Sequence, residues 1–212
     1  ALGSTSFGSR AGSLGDIGAF SFHPRKVITT GEGGMLTVQD GELASRLRRL
    51  ASHGGHKGDL FFEFVEAGFN YRLSDIASAI GLEQMKRLDN TIRRRQSVAM
   101  AYTSLLAGIE PVAPQSVPLD CETTFQSYVV KLAPNIDRDR VIRKMRERGI
   151  ETTIGTYSLH AQPYFASKFG YKRGALPNSW DLFRQTLTLP LSPTMTSNDA
   201  EFVCANLSEV IS

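Results

Sequence analysis

The chain has 212 residues, 24 Lys and Arg against 21 Asp and Glu, a net charge of +3 with neutral histidines, and 41% hydrophobic and 21% charged residues. This is enough polypeptide for one large domain or one and a half smaller ones, with ordinary globular composition. So small a net charge argues against a nucleic-acid module. No apolar run approaches the ~20 residues needed to span a bilayer, and the glycine- and serine-rich start is unlike a signal peptide.

Residues 1–14 read as a glycine- and serine-rich strand-turn region. Residues 19–22 read as a buried strand and 35–38 as a second. Between them Pro24 stops any helix and pushes His23 towards extended geometry, while Gly31, Gly33 and Gly34 permit a tight return. Lys26 is therefore expected in a loop held between two strands, with Arg25 as an adjacent cation and Ser21 five residues upstream. Asp40 is placed to cap a helix that begins near Glu42 and ends at Gly54 and Gly55. Residues 54–68 read as a loop with aromatic centre Phe61, Phe62 and Phe64, a composition that suits a buried plug or a subunit contact. Ser74 or Asp75 starts a further helix with Ile76, Ile80, Met85 and Leu88 along one stripe, and a helical pattern resumes through Ile92 to Leu106. Residues 108–118, with three prolines, read as a connector. After it come a strand at 127–132, a helix capped by Asp137 or Asp139 and ended by Gly149, and a strand at 150–154. An irregular loop follows at 155–175, then a helix at 179–185, a strand at 186–189 and a last helix from Ser197. This alternation predicts a small α/β unit, with the domain boundary near residue 106.

Two cysteines far apart, Cys121 and Cys204, read as free thiols in a reducing compartment. The four histidines, His23, His53, His56 and His160, show no metal-ligand spacing. A lysine fixed in a loop can condense with an aldehyde when burial or a neighbouring cation lowers its pKa. Spacing alone does not single Lys26 out, because most of the 24 basic residues are simply solvated.

A family resemblance does single it out. SFHPRKVITTGEGG, at residues 21–34, resembles the lysine segment of the DegT/DnrJ/EryC1/StrS sugar aminotransferases, fold-type I enzymes that depend on pyridoxal 5'-phosphate. HGGHKG at 53–58, FNYRLSDIASAIGLEQMKRLD at 69–89, SLHAQPYF at 158–165 and LTLPLSPTMT at 187–196 continue the resemblance in the family's order. It implies an α/β fold: residues 1–106 as the C-terminal part of the large cofactor domain and 107–212 as a small C-terminal α/β domain. It implies Lys26 as the covalent attachment point and proton carrier, Ser21 as a phosphate ligand, and Asn70 as a ligand to the phosphate of the neighbouring subunit's cofactor. The last implies a homodimer with shared active sites. His160 matches a histidine near the sugar-nucleotide end. The implied reaction moves an amino group, from glutamate, to a keto sugar linked to a nucleotide, in the cytoplasm. A dehydratase is disfavoured by Lys26, since those members carry His there. The resemblance also implies further N-terminal sequence bearing the carboxylate for the pyridine nitrogen, so that these residues alone are expected to be nearly inactive. The competing reading is a non-catalytic, truncated or regulatory relative that dimerises or binds a partner.

Overall fold

The computed structural model describes residues 1–212. By internal contacts the chain forms two compact units, one of residues 1–92 with 118–124 and one of residues 93–117 with 125–212. The long helix expected to close the first domain at residue 106 instead divides between the units near residue 92, because its residues beyond that point pack in the second core.

In the first unit, β1 (Thr5–Ser6) pairs antiparallel with β2 (Ser9–Arg10). The central hairpin is β3 (Ile17–Ser21) against β4 (Gly34–Val38), in register from Ile17 opposite Val38 to Ser21 opposite Gly34. The expected buried strand is shifted: β3 has alternate residues exposed and Phe22, just past its end, is the buried one. A two-stranded ribbon has two faces to cover, and Ile17, Met35 and Leu36 remain exposed.

Helix α1 (Gly41–Ala51) starts where Asp40 Oδ1 accepts the Leu43 N–H at 2.6 Å. It stops at His53 and Gly54, both with positive φ. Gly54 cannot be replaced, since a Cβ there would stand 1.7 Å from the Glu66 carbonyl oxygen. The expected loop at 54–68 contains a short hairpin, β5 (Gly55–Lys57) with β6 (Phe62–Phe64). Its aromatic residues are not a plug: Phe61 is 79% exposed.

Helix α2 (Asp75–Met85) is capped by the Ser74 hydroxyl on Ala77 N–H. Only Gly81 of its residues is buried, and the stripe residue Ile76 is 77% exposed. Helix α3 (Leu88–Leu106) follows. Its first residues, Leu88 and Ile92, form the first unit's small core with Phe22 and Ile28.

The second unit carries the larger core. The stretch expected as a pure connector holds β7 (Val112–Pro114), while β8 (Cys121–Glu122), in the segment belonging to the first unit, pairs with β1. The second unit's sheet has the order β10-β11-β9-β7, formed by β9 (Tyr128–Leu132), β10 (Thr153–Ile154) and β11 (Thr186–Leu189), all pairings antiparallel. Tyr128, Val130 and Leu132 alternate inward along β9, the two-residue period of a half-buried strand. Between these strands lie α4 (Arg138–Glu147) and, within the expected loop at 155–175, α5 (Pro163–Phe169); α6 (Pro177–Gln185) and α7 (Ser197–Ile211) complete the set. Asp137 caps α4, and Thr196 and Asp199 form a reciprocal capping box on α7. The Tyr102 and Tyr128 rings meet at 5.0 Å in the core, the Tyr102 hydroxyl donating to the Pro190 carbonyl at 2.8 Å.

Candidate active site

β3 ends at Ser21, and the chain then leaves the hairpin for an excursion closed at its neck by hydrogen bonds. Phe22 N–H donates to the Gly33 carbonyl at 2.8 Å, and the Phe22 carbonyl accepts both Thr30 N–H at 3.0 Å and the Thr29 hydroxyl at 2.9 Å. Thr29 Oγ1 in turn accepts Gly31 N–H at 3.0 Å. Phe22 and Ile28 are buried and Val27 packs beside them, so one side of the loop is an apolar wedge. Its tip is a turn with Pro24 in second position, in which Lys26 N–H donates to the His23 carbonyl at 2.9 Å. Pro24, Arg25 and Lys26 are exposed there. Lys26 is thus held by its backbone and presented by its side chain, as expected for a loop between two strands.

Ser21 lies at the base of the same excursion. Its oxygen accepts His23 N–H at 3.3 Å, which leaves the hydroxyl proton to donate outward. His23 Nδ1 accepts Arg25 N–H at 3.2 Å, so the neutral ring carries its proton on Nε2, 3.9 Å from a Glu32 carboxylate oxygen.

A contact from α2 holds the far limb of the loop. Gln84 Oε1 accepts Thr29 N–H at 3.1 Å and Gln84 Nε2 donates to the Thr29 carbonyl at 2.5 Å. Gly81, one turn earlier on the same face, permits the approach, since a Cβ there would lie 2.9 Å from Thr30 Cγ2. Residue-type reasoning passed over Gln84. The available signal was a glutamine three positions after a glycine, on the same helix face.

Asn70 belongs to the same unit but to a different network. It bridges Ser52, and its Oδ1 accepts Arg72 Nε at 2.9 Å. Arg72 also reaches His53 Nε2 at 3.3 Å. The Arg72 bond fixes the Asn70 amide so that its Nδ2 is the group left to donate. An open groove of about 480 Å³ is lined by Gly33, Gly34 and residues 71–74.

His160 lies in the second unit and is 5% exposed. Its Nδ1 meets Ser158 Oγ at 3.0 Å and its Nε2 meets the Arg173 carbonyl at 2.9 Å. A carbonyl can only accept, so Nε2 carries the proton and Nδ1 accepts from Ser158. Ser158 Oγ also lies 3.1 Å from Ser179 Oγ. Both ring nitrogens are therefore occupied within the loop.

The donor set fits the aldehyde and phosphate ends of pyridoxal phosphate. Lys26 offers an exposed amine on a fixed backbone, and Ser21 offers a free hydroxyl proton at the base of the same loop. The neighbouring Arg25 and Lys26 make this end attractive to an anion.

A family model described as the DegT/DnrJ/EryC1/StrS aminotransferase family matches residues 1–208. GDP-perosamine synthase of Caulobacter vibrioides is 35% identical over 214 residues, an alignment covering 100% of this chain and 57% of that protein. The crystal structure of the aminotransferase TlmJ from Streptoalloteichus hindustanus superposes with a TM-score of 0.89 at 32% identity, covering 99% of this chain and 56% of that one. The Streptococcus pneumoniae protein Spr1654, described as a sugar aminotransferase and solved in a PLP form, gives a TM-score of 0.91 at 25% identity over 99% of this chain and 55% of that one. The chain spans just over half the length of the curated relatives it matches. With nearly every residue matched and the motif blocks in order, the chain belongs to the DegT/DnrJ/EryC1/StrS aminotransferase family.

Proposed function

We propose that the protein works as a pyridoxal-phosphate-dependent aminotransferase that moves an amino group from an amino acid, glutamate, to the keto carbon of a nucleotide-linked sugar. The observation that carries this reading is the Lys26 loop: an exposed amine on a backbone pinned at both limbs, with Ser21 at its base. Relatives named as nucleotide-sugar aminotransferases support the substrate class. Bound there, the cofactor supplies an electron sink for the bond-breaking step.

Lys26 Nζ is the attachment point. With the cofactor held there, the Lys26 amine would also carry the proton of the donor's α-carbon while its backbone stays pinned. Ser21 Oγ donates to a phosphate oxygen. Asn70 Nδ2, left free by the Arg72 bond, donates to the phosphate held by a second subunit, so the reading includes a homodimer with shared sites. His160 is assigned to the sugar-nucleotide side by the resemblance. Its bonded ring nitrogens give it the part of holding residues 158–179 in shape. A reducing, cytoplasmic setting is part of the reading, supported by the unpaired thiols Cys121 and Cys204.

Borohydride reduction of the cofactor-loaded protein should fix the cofactor on Lys26, and Lys26→Ala should abolish that adduct and lower kcat by about 10²–10⁴-fold. An adduct that survives Lys26→Ala overturns the assignment. Shared sites are tested by mixing inactive Lys26→Ala and Asn70→Ala proteins. Random re-pairing leaves one intact site in about half of the dimers, so about a quarter of the activity should return. No recovery after demonstrated subunit exchange contradicts sharing.

A further inference from the structure

We infer that Gln84 is a positioning residue for Lys26, acting through a two-bond amide clamp on Thr29; this rests on the assignment of Lys26 above. The geometry is that of a neighbouring strand reduced to one side chain. Gln84 Oε1 takes the Thr29 N–H and Gln84 Nε2 serves the Thr29 carbonyl, and only one orientation of the amide satisfies both. The same Nε2 also meets the Ile80 carbonyl at 3.2 Å, which ties the side chain to its own helix.

Thr29 is the residue at which to hold this loop. It lies three positions after Lys26, its hydroxyl donates to the Phe22 carbonyl, and it accepts from Gly31 N–H. Holding Thr29 therefore holds both limbs of the excursion. Between Thr29 and Lys26 stand only Val27 and Ile28, which are packed into the small core with Phe22, Leu88 and Ile92. The clamp and the wedge together leave the tip little freedom except in the Lys26 side chain. Gly81 belongs to the same device, since the close approach to Thr30 leaves no room for a side chain there. Gln84 touches neither the amine nor any group that reacts. Its effect is on where Nζ stands, and misplacement by about 1 Å can cost up to ~10² in rate.

The test uses the protein as its gene encodes it, loaded with pyridoxal phosphate. Gln84→Leu preserves volume and removes both bonds. Gln84→Glu keeps an acceptor and sets a carboxylate against the Thr29 carbonyl. Both should lower kcat about tenfold to a hundredfold with KM for the amino donor unchanged. Both should also lower the fraction of cofactor trapped by borohydride in a short pulse, while the circular dichroism spectrum keeps its shape. Unchanged kcat and trapping in both variants overturn the inference. A rise in KM alone also overturns it. If neither variant folds, hydrogen exchange on the unsubstituted protein decides. The Thr29 amide should exchange at least about tenfold more slowly than its intrinsic rate, and an unprotected Thr29 overturns the clamp. Lys26→Ala separates the two readings. Trapping that persists in Lys26→Ala removes the assignment of Lys26 and the inference with it. Trapping lost in Lys26→Ala but normal in Gln84→Leu overturns the role of Gln84 alone.

Discussion

At the scale of single residues, the second unit buries polar groups with purposes that their local sequence conceals. Arg138 opens α4 yet is buried, its Nη1 donating to the carbonyls of Phe183 at 2.8 Å and Thr186 at 3.1 Å, where α6 hands over to β11. It answers the orphan carbonyls of a helix end, and its guanidinium lies 5.5 Å from the Phe183 ring centre. Arg138→Met should cost about 1–3 kcal/mol in chemical denaturation, because it leaves buried carbonyls unpaired. Cys204 illustrates linkage: burial raises its thiol from 9.0 to about 11. A raised native pKa means the unfolded chain loses its proton first, so this stabilisation is complete below pH 9.0 and is lost as pH rises towards about 11. Denaturant midpoints should fall across that window, and less steeply in Cys204→Ala.

Elements show which kinds of contact matter. Between α4 and α7, Arg148 bonds Asn206 Oδ1 at 3.0 Å and Glu209 at 2.5 Å, but on the surface. Leu207 on the same helix is fully buried. Exposed ion pairs contribute about 0–1 kcal/mol, whereas truncating a buried leucine costs about 2–5 kcal/mol. Arg148→Ala should therefore barely move the unfolding midpoint and Leu207→Ala should move it strongly. The α7 cap is intermediate: Thr196 accepts Asp199 N–H while Asp199 accepts from Thr196, which holds the Asp199 carboxyl below its ordinary pKa. Thr196→Ala should cost about 1 kcal/mol by the same measurement. In the first unit the contrast is sharper. Helix α2 is apolar on nearly every side but buries only Gly81, so its attachment to the Lys26 loop depends heavily on Gln84.

Over the whole molecule, burial is unequally divided. The second unit's cluster contains 17 buried residues and the first unit's contains four, so the first has far less apolar burial to offset its chain entropy. The first unit also exposes Leu60, Phe61, Phe64, Ile76, Leu82 and Met35. Patches of that kind promote association. Prepared as a 212-residue polypeptide, the protein should bind a hydrophobic dye and self-associate on size exclusion, and Phe61→Lys with Phe64→Glu should reduce both. Amide protection in the same material should concentrate in β9, β11 and α7 and be weak in β3 and β4. No helix is long and apolar enough to cross a membrane.

Local chemistry was legible in the residues themselves. Asp40, Ser74 and Asp137 cap helices because short acceptor side chains satisfy nearby N–H groups, a matter of three residues' spacing. The helix at Ser197, capped by Thr196, was visible for the same reason. The Lys26 loop was legible as a loop from Pro24 and the glycines, and its chemistry was legible only through resemblance to a family. Tertiary structure alone decided what depends on distant partners. Short strands such as β8 exist because a remote strand pairs with them. The Phe61 cluster is exposed, and His160 is bonded at both nitrogens. Gln84 meets Thr29 across 55 residues of chain. Capping and turn preferences act within a few residues, whereas burial and clamping are properties of neighbours brought together by the fold, and no local pattern encodes them.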